Sequence, residues 1–188
     1  MGVRKIKYAT DGHHSWTPEE IAQYRERHPL GSKARLALDL LLYTGGRREN
    51  AVRLGPQHVR NGRVKFRQAK NENRNPIDID IPLHAELAAS IAATPASGHM
   101  TFLVTEFCRP FTPAGFGNWF RDHCDQANLH HCSAHGLRKA TAAALAEAGA
   151  SAHEIAAVTG HMSLEEIERY TRAARKKKLA DSAIAKLK

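Results

Sequence analysis

Apolar positions along this chain change period twice, and each change marks an element. Thr17-Pro18-Glu19-Glu20 reads as a helix start, with Thr17 as cap, Pro18 at the first helical position and Glu20 closing a capping box. Ser32 opens a second helix through ARLALDLLLYTG, whose apolar density predicts burial. Gly45 and Gly46 end it directly before Arg47. The period then drops to two. In HVRNGRVKFRQ, Val64 and Phe66 alternate with charged residues, and Asn61-Gly62 is a two-residue hairpin turn. In NPIDIDIP, Ile77, Ile79 and Ile81 alternate with Asp78 and Asp80 in the same way. The polar turn KNENRN between the two runs places Lys70 at a strand end or in the turn.

Beyond Pro82 the pattern predicts helix to the C-terminus. HAELAASIAA is one helix, TPAGFGNWFRDHCDQANL another, and the Ala-rich SAHGLRKATAAALAEAGA a third that stops at Gly149. Ser151 with Glu154 and Ser163 with Glu166 are two further capping boxes, each opening a short helix. The expected fold is α+β, mostly α-helical, with one small antiparallel β-sheet. Residues 1–15 read as a linker or N-terminal extension, 16–175 as the main domain and 176–188 as a C-terminal helix. In that last helix Leu179, Ala183, Ile184 and Leu187 fall on one apolar stripe.

Charge adds a partner to this picture. A chain of 188 residues buries one substantial core, and its net charge of +9 calls for an acidic partner. The basic residues recur at Arg47, Arg48, Arg53, Arg60, Arg63, Lys65, Arg67 and Lys70, then from Arg172 through Lys178. Such a spread suits a surface tracking a phosphate backbone better than a membrane patch, although a merely solvated basic face fits the charge equally well. Three cysteines, an odd count without an apolar leader, point to a reduced, cytoplasmic setting with no disulfide. The longest apolar stretch, LALDLLLY, is far too short to span a bilayer.

The candidate chemistry lies in five segments: YTGGRREN with Arg47, QAKNEN with Lys70, SAHGLRKAT with His135 and Arg138, TGHMS with His161, and ERYTRAA with Tyr170. Two guanidiniums, an amine, two imidazoles and a phenol suit a phosphodiester attacked by a tyrosine. The pentacoordinate state of such an attack carries extra charge on its non-bridging oxygens, which fixed guanidiniums stabilise with bidentate bonds. His135 and Arg138 are three residues apart and share a helix face. A phenol titrates near ~10, so Tyr170 needs a cation cluster or a base beside it. Each residue also has a plainer reading: a surface ion pair for Arg47, a core histidine for His135, a helix-terminus histidine for His161, a structural tyrosine for Tyr170. Lys70 competes with Lys65. Zinc motifs use paired ligands twice. The run His123, Cys124, His130, His131, Cys132, His135 has adjacent pairs and no second Cys-x-x-Cys, so no metal is expected. TGGR lacks the Lys-Ser/Thr of a phosphate loop, so no nucleotide site is expected either.

With its five segments in this order, and Tyr170 nine residues after His161, the chain resembles the C-terminal catalytic domain of the tyrosine recombinase (phage integrase) family from about Trp16 onward. The resemblance implies a site-specific DNA recombinase of a mobile genetic element, working in the bacterial cytoplasm at the nucleoid without ATP, metal or other cofactor. Tyr170 would form a 3′-phosphotyrosyl link, Arg47 and Arg138 would clamp the phosphate, and Lys70 would protonate the departing 5′ oxygen. His135 would serve as general base and His161 as a donor to a non-bridging oxygen. Arg48, Arg53, Arg67 and Arg172 would contact double-stranded DNA. It further implies self-association into a dimer or tetramer on DNA and, in a full-length protein, an N-terminal core-binding domain, so that this chain would be a catalytic fragment, an engineered piece or a truncated gene product. The C-terminal helix would dock on a neighbouring protomer or fold back on its own domain. One position departs from the family: an acidic residue usually stands three places after the first arginine, and here that place holds Asn50. A type IB topoisomerase-like enzyme and a non-catalytic DNA-binding fragment are the rival readings.

Overall fold

The computed structural model describes residues 12–69, 76–161, 167–168, 172, 176 and 180–187. Helix α1 (Pro18–Arg27) opens on the expected capping box, with Thr17 accepting from the Glu20 amide and Glu20 accepting from that of Thr17. It seats Tyr24 against Phe120, their rings stacked with centroids 5.5 Å apart. Helix α2 (Lys33–Thr44), capped by Ser32, runs through the middle of the core and buries Leu36, Leu38, Leu40 and Leu41. It also buries a charge. Asp39 accepts from Arg25 Nη2 at 2.9 Å, from Arg35 Nε at 2.7 Å and from the Ser90 hydroxyl, so one carboxylate ties α1, α2 and α4 (Ala85–Ala93) together.

Gly45 ends α2 in the left-handed region at φ 57, a conformation that an L side chain resists. The chain turns there and starts α3 (Arg48–Ala51), with Arg47 at its N-cap. Strands β1 (Val59–Arg60), β2 (Arg63–Arg67) and β3 (Asp78–Pro82) form one antiparallel sheet in that order. Asn61 and Gly62 take φ 52 and 69, as a type I′ hairpin turn requires. Val64 pairs with Ile81 and Phe66 with Ile79, all four buried. The opposite face carries ion pairs of Arg63 and Lys65 with Asp80, and of Arg67 with Asp78.

The expectation of helix from Pro82 to the C-terminus is corrected between α4 and α5 (Pro113–Gln126). Residues 94–112 are an irregular connection with a single bridge, Val104 to Pro110. Pro95, Gly98 and Pro110 interrupt any helical ladder there, yet Leu103 is fully buried, which pins the loop to the core. Helix α6 (Ala134–Glu147) packs on α2, and α7 (Ala152–Thr159) opens on the Ser151–Glu154 capping box. The Ser163–Glu166 box lies outside the described residues. Residues 180–184 are helical, but Ile184 and Leu187 are 66% and 76% exposed, so the described part of the stripe does not fold back on its own domain. Among the described residues no helix is long and apolar enough to cross a membrane.

Asp39→Ala would leave two guanidiniums and the Ser90 hydroxyl facing the emptied place of a carboxylate. We expect a loss of about 3 kcal/mol in unfolding free energy, read from urea denaturation. A loss below about 1 kcal/mol would mean that solvent readily replaces the carboxylate.

Candidate active site

Two helix ends meet beneath the site. The carbonyls of Gly45, closing α2, and Thr159, closing α7, have no partner within their own helices and carry the negative end of the helix dipoles. Arg138, on α6 and only 2% exposed, donates Nη1 to both: to Gly45 O at 2.7 Å and to Thr159 O in a shorter bond. Burying a guanidinium costs several kcal/mol unless hydrogen bonds and opposing charge offset it, and these two carbonyls supply both.

Gln68 joins the second arginine to the same point. It follows β2, is 1% exposed, and donates Nε2 to Thr159 O at 2.7 Å while its Oε1 accepts from Arg47 Nη1 at 3.0 Å. Gly160 takes φ 65 to close α7, and a Cβ there would overlap the Gln68 amide, so glycine is required twice over. Asn50 is not the buttress of Arg47. Its Nδ2 reaches Arg67 O at 3.4 Å, and its Oδ1 has no partner among the described residues.

The Thr159 side chain sets the second imidazole. Its hydroxyl donates to Ile155 O at 2.6 Å, so the 2.6 Å contact with His161 Nδ1 is one in which the imidazole donates. Neutral His161 therefore carries its proton on Nδ1. Its pKa is lowered to about 3, first by desolvation and then by Arg138, Arg47 and His135. His135, in the first turn of α6, is exposed to the cleft, yet protein atoms around its ring partly desolvate it. That desolvation, followed by His13, Arg138, Lys139 and Arg47, lowers its pKa to about 4. Arg47, Arg138, His135 and His161 thus come together, the two arginines close enough to both imidazoles to lower their pKa values.

Arg47 and His135 wall a cleft of about 570 Å³ that also takes in His13, Arg48, Arg121 and Asn118. Arg138 and His161 are not part of its wall. Of the candidate DNA contacts, Arg48 is at the cleft, exposed and paired with Glu49 at 3.2 Å. Arg53 and Arg67 line a separate hollow of about 150 Å³ beside Asn50. Arg172 is exposed, 3.7 Å from Glu168. Lys65, the competitor of Lys70, is on the outer sheet face with Asp80. Lys70 and Tyr170 lie outside the described residues. Tyr24 is buried, with its phenol pKa raised by desolvation, and Tyr43 stacks on His84, so both are structural.

Sequence reasoning missed Gln68, Thr159 and His13. Gln68 extends the alternation of Val64 and Phe66 onto the buried face, a signal that was present. The neutral imidazoles carry a pH consequence. Because their folded pKa values lie below the ordinary 6.5, the unfolded chain binds more protons between about pH 6.5 and 3. Their contribution to stability is present above pH 6.5 and is lost as pH falls through that window. His161→Asn should flatten the decline of the urea midpoint between about pH 7 and 4. An unchanged slope would show that the imidazole is not held neutral.

A family profile described as Phage integrase family matches residues 17–177. No match was found among curated proteins. Solved structures of similar fold include lambda integrase (residues 75–356) as a dimer bound to a COC′ core site, with TM-score 0.71 and 18% identity over 87% of this chain and 61% of that one. XerA recombinase gives 0.71 and 18% over 89% of this chain and 64% of that one. The Tn1549 transposon integrase with transposon right-end DNA gives 0.72 and 16% over 93% and 69%. The chain thus spans under two thirds of the lambda integrase and XerA chains. With four site residues gathered at the junction of α2, α6 and α7, and a family match running across almost all of its length, the chain belongs to the phage integrase family and has the fold of a tyrosine recombinase catalytic domain.

Proposed function

We propose that this domain cuts and rejoins DNA as the catalytic part of a site-specific recombinase. Tyr170 Oη attacks a backbone phosphorus as its proton passes to His135. The P–O5′ bond breaks, Lys70 protonates the departing oxygen, and a 3′-phosphotyrosyl ester remains. A 5′ hydroxyl from a partner strand then attacks that ester, the P–O bond to Tyr170 breaks, and the phenol takes a proton back. One ester replaces another, so no ATP is consumed. Arg47 and Arg138 offset the charge that grows on the non-bridging oxygens.

The observation that carries this reading is the linkage of Arg47 to Arg138 through Gln68 and the Thr159 carbonyl, with both imidazoles beside them. Two guanidiniums held by fixed acceptors are pre-aimed, and preorganised charge does most when no reorganisation is needed at the moment of reaction. The low pKa values belong to the protein without DNA. A phosphodiester entering the cleft opposes the guanidinium charge, raises both pKa values and lets His161 take a proton on Nε2 to donate to oxygen. Arg48, Arg53, Arg67 and Arg172 supply backbone contacts to double-stranded DNA.

A nicked suicide substrate tests the chemistry. Tyr170→Phe should abolish the covalent adduct while leaving DNA binding nearly intact. Arg47→Ala should slow adduct formation by about 100-fold, the usual scale for losing one preorganised donor. An adduct on the Phe variant would identify a different nucleophile.

We also propose self-association on DNA through the C-terminal helix, supported by the exposure of Ile184 and Leu187 and by the dimeric state of the lambda integrase structure. Removing residues 176–188 should leave single protomers on DNA fragments where the intact chain assembles further. If the shortened chain assembles equally well, the helix is not the link between protomers.

A further inference from the structure

A second cluster of chemistry-bearing side chains, none of them part of the cleft wall, includes His14, the residue after His13. His14 precedes α1, Glu20 belongs to it, and His131 and Cys132 form the turn that leads into α6. One ligand atom from each lies within 4.8 Å of all the others. We infer that these four residues form a structural site for a zinc-like divalent cation, clasping the segment before α1 to the turn before α6.

The donor set is the first argument. Two imidazoles, a thiolate and a carboxylate make a mixed nitrogen, sulfur and oxygen set that suits zinc and is wrong for magnesium or calcium. Zn–N and Zn–O bonds of about 2.0 Å and a Zn–S bond of about 2.3 Å place tetrahedral ligand atoms roughly 3.3–3.5 Å apart. His14 Nε2 and His131 Nε2 now stand 2.8 and 2.6 Å from the Glu20 carboxylate. Both histidines are exposed and have room to open to tetrahedral spacing.

The surroundings are the second argument. Glu20 Oε2 already accepts the Thr17 amide at 2.8 Å, which fixes the carboxylate, and Oε1, now 2.9 and 2.6 Å from His14 Nε2 and His131 Nε2, is the oxygen that an ion between these rings would take. Cys132 is fully buried, and its backbone is anchored by a 2.9 Å bond to Leu129 O. On binding, the Cys132 thiol gives its proton to solvent. The ion's two positive charges then meet one thiolate and one carboxylate, and the centre is formally neutral. A neutral centre carries little desolvation penalty beside a buried sulfur.

The location gives the site a purpose. Glu20 and His131 are 111 residues apart, so the ion closes a long loop. His13, next to His14, lays its ring 4.7 Å from that of His135, and its carbonyl accepts from Lys139 Nζ at 2.6 Å. Gly136 lets this segment approach, since a Cβ there would overlap the His14 carbonyl. The clasp would hold one wall of the cleft while contributing no ligand to it.

Cobalt(II) titrated into the chelator-treated full chain is the test. We expect one equivalent to bind, with the visible bands of tetrahedral cobalt and a near-ultraviolet thiolate charge-transfer band, both erased by zinc. Cys132→Ser should lose the charge-transfer band. Because Cys132 is buried and that variant could fail to fold, the exposed changes His14→Ala and His131→Ala provide a second measure, each weakening binding by at least about tenfold. His130→Ala, at the neighbouring position, should bind as the parent does. Absence of both bands at stoichiometric cobalt, or equal affinity in the His14 and His131 variants, would overturn the proposal.

Discussion

The carbonyl oxygen of Thr159 accepts two hydrogen bonds at once, from the buried guanidinium of Arg138 and from the Gln68 amide. A backbone oxygen at a helix end would otherwise look for water, and here two buried side chains take water's place. Its two lone pairs are what bring α6 and the end of β2 to the C-terminus of α7. The Gly45 carbonyl does the same for α2. A bond from a charged donor contributes about 1.5–3 kcal/mol, so this junction is as much a part of the domain's stability as of its chemistry. Stability and chemistry share the same atoms, and a change made to either reaches the other.

Electrostatics follows from that junction. Burial first, and then neighbouring positive charge including the two arginines held in place, lowers both imidazole pKa values, so both histidines are neutral in the ordinary pH range. The sheet tells the opposite story. Asp78 pairs with Arg67, and Asp80 with Arg63 and Lys65. Hydrogen bonds from these exposed cations hold both carboxyl pKa values below the ordinary range. Much of the basic count in that region is therefore locally balanced, whereas three arginines, Arg47, Arg48 and Arg121, stand at the cleft against the single carboxylate of Glu49.

Most of the architecture was legible in the sequence because local signals agreed with each other. The Thr17 and Ser151 boxes, the Ser32 cap, the Asn61-Gly62 turn and the alternation over Val64 and Phe66 all appear as elements at those places. What local pattern does not carry is a connection held by one buried side chain. Residues 94–112 have no period, and their packing depends on Leu103 reaching the core. The site divides along the same line. Arg47, His135, Arg138 and His161 were visible as residue types in order, but the side chain that supports Arg47 was not. It is Gln68, just past the end of β2 and 21 residues away, whose Oε1 accepts from the Arg47 guanidinium. Likewise the Cys/His run shows no complete ligand set of its own, and the side chains that stand beside His131 and Cys132, His14 and Glu20, come from the other end of the chain.

Gly160 has no side chain, touches no candidate substrate and would be overlooked in any inventory of reactive groups. Yet the Gln68 amide fills the space where its side chain would be, and its left-handed backbone turns His161 toward the arginines. Any side chain placed there would push Gln68 off Thr159 and loosen Arg47 with it. In a saturation screen this position would behave like a reactive residue, so intolerance to substitution alone does not tell chemistry from the space that chemistry needs.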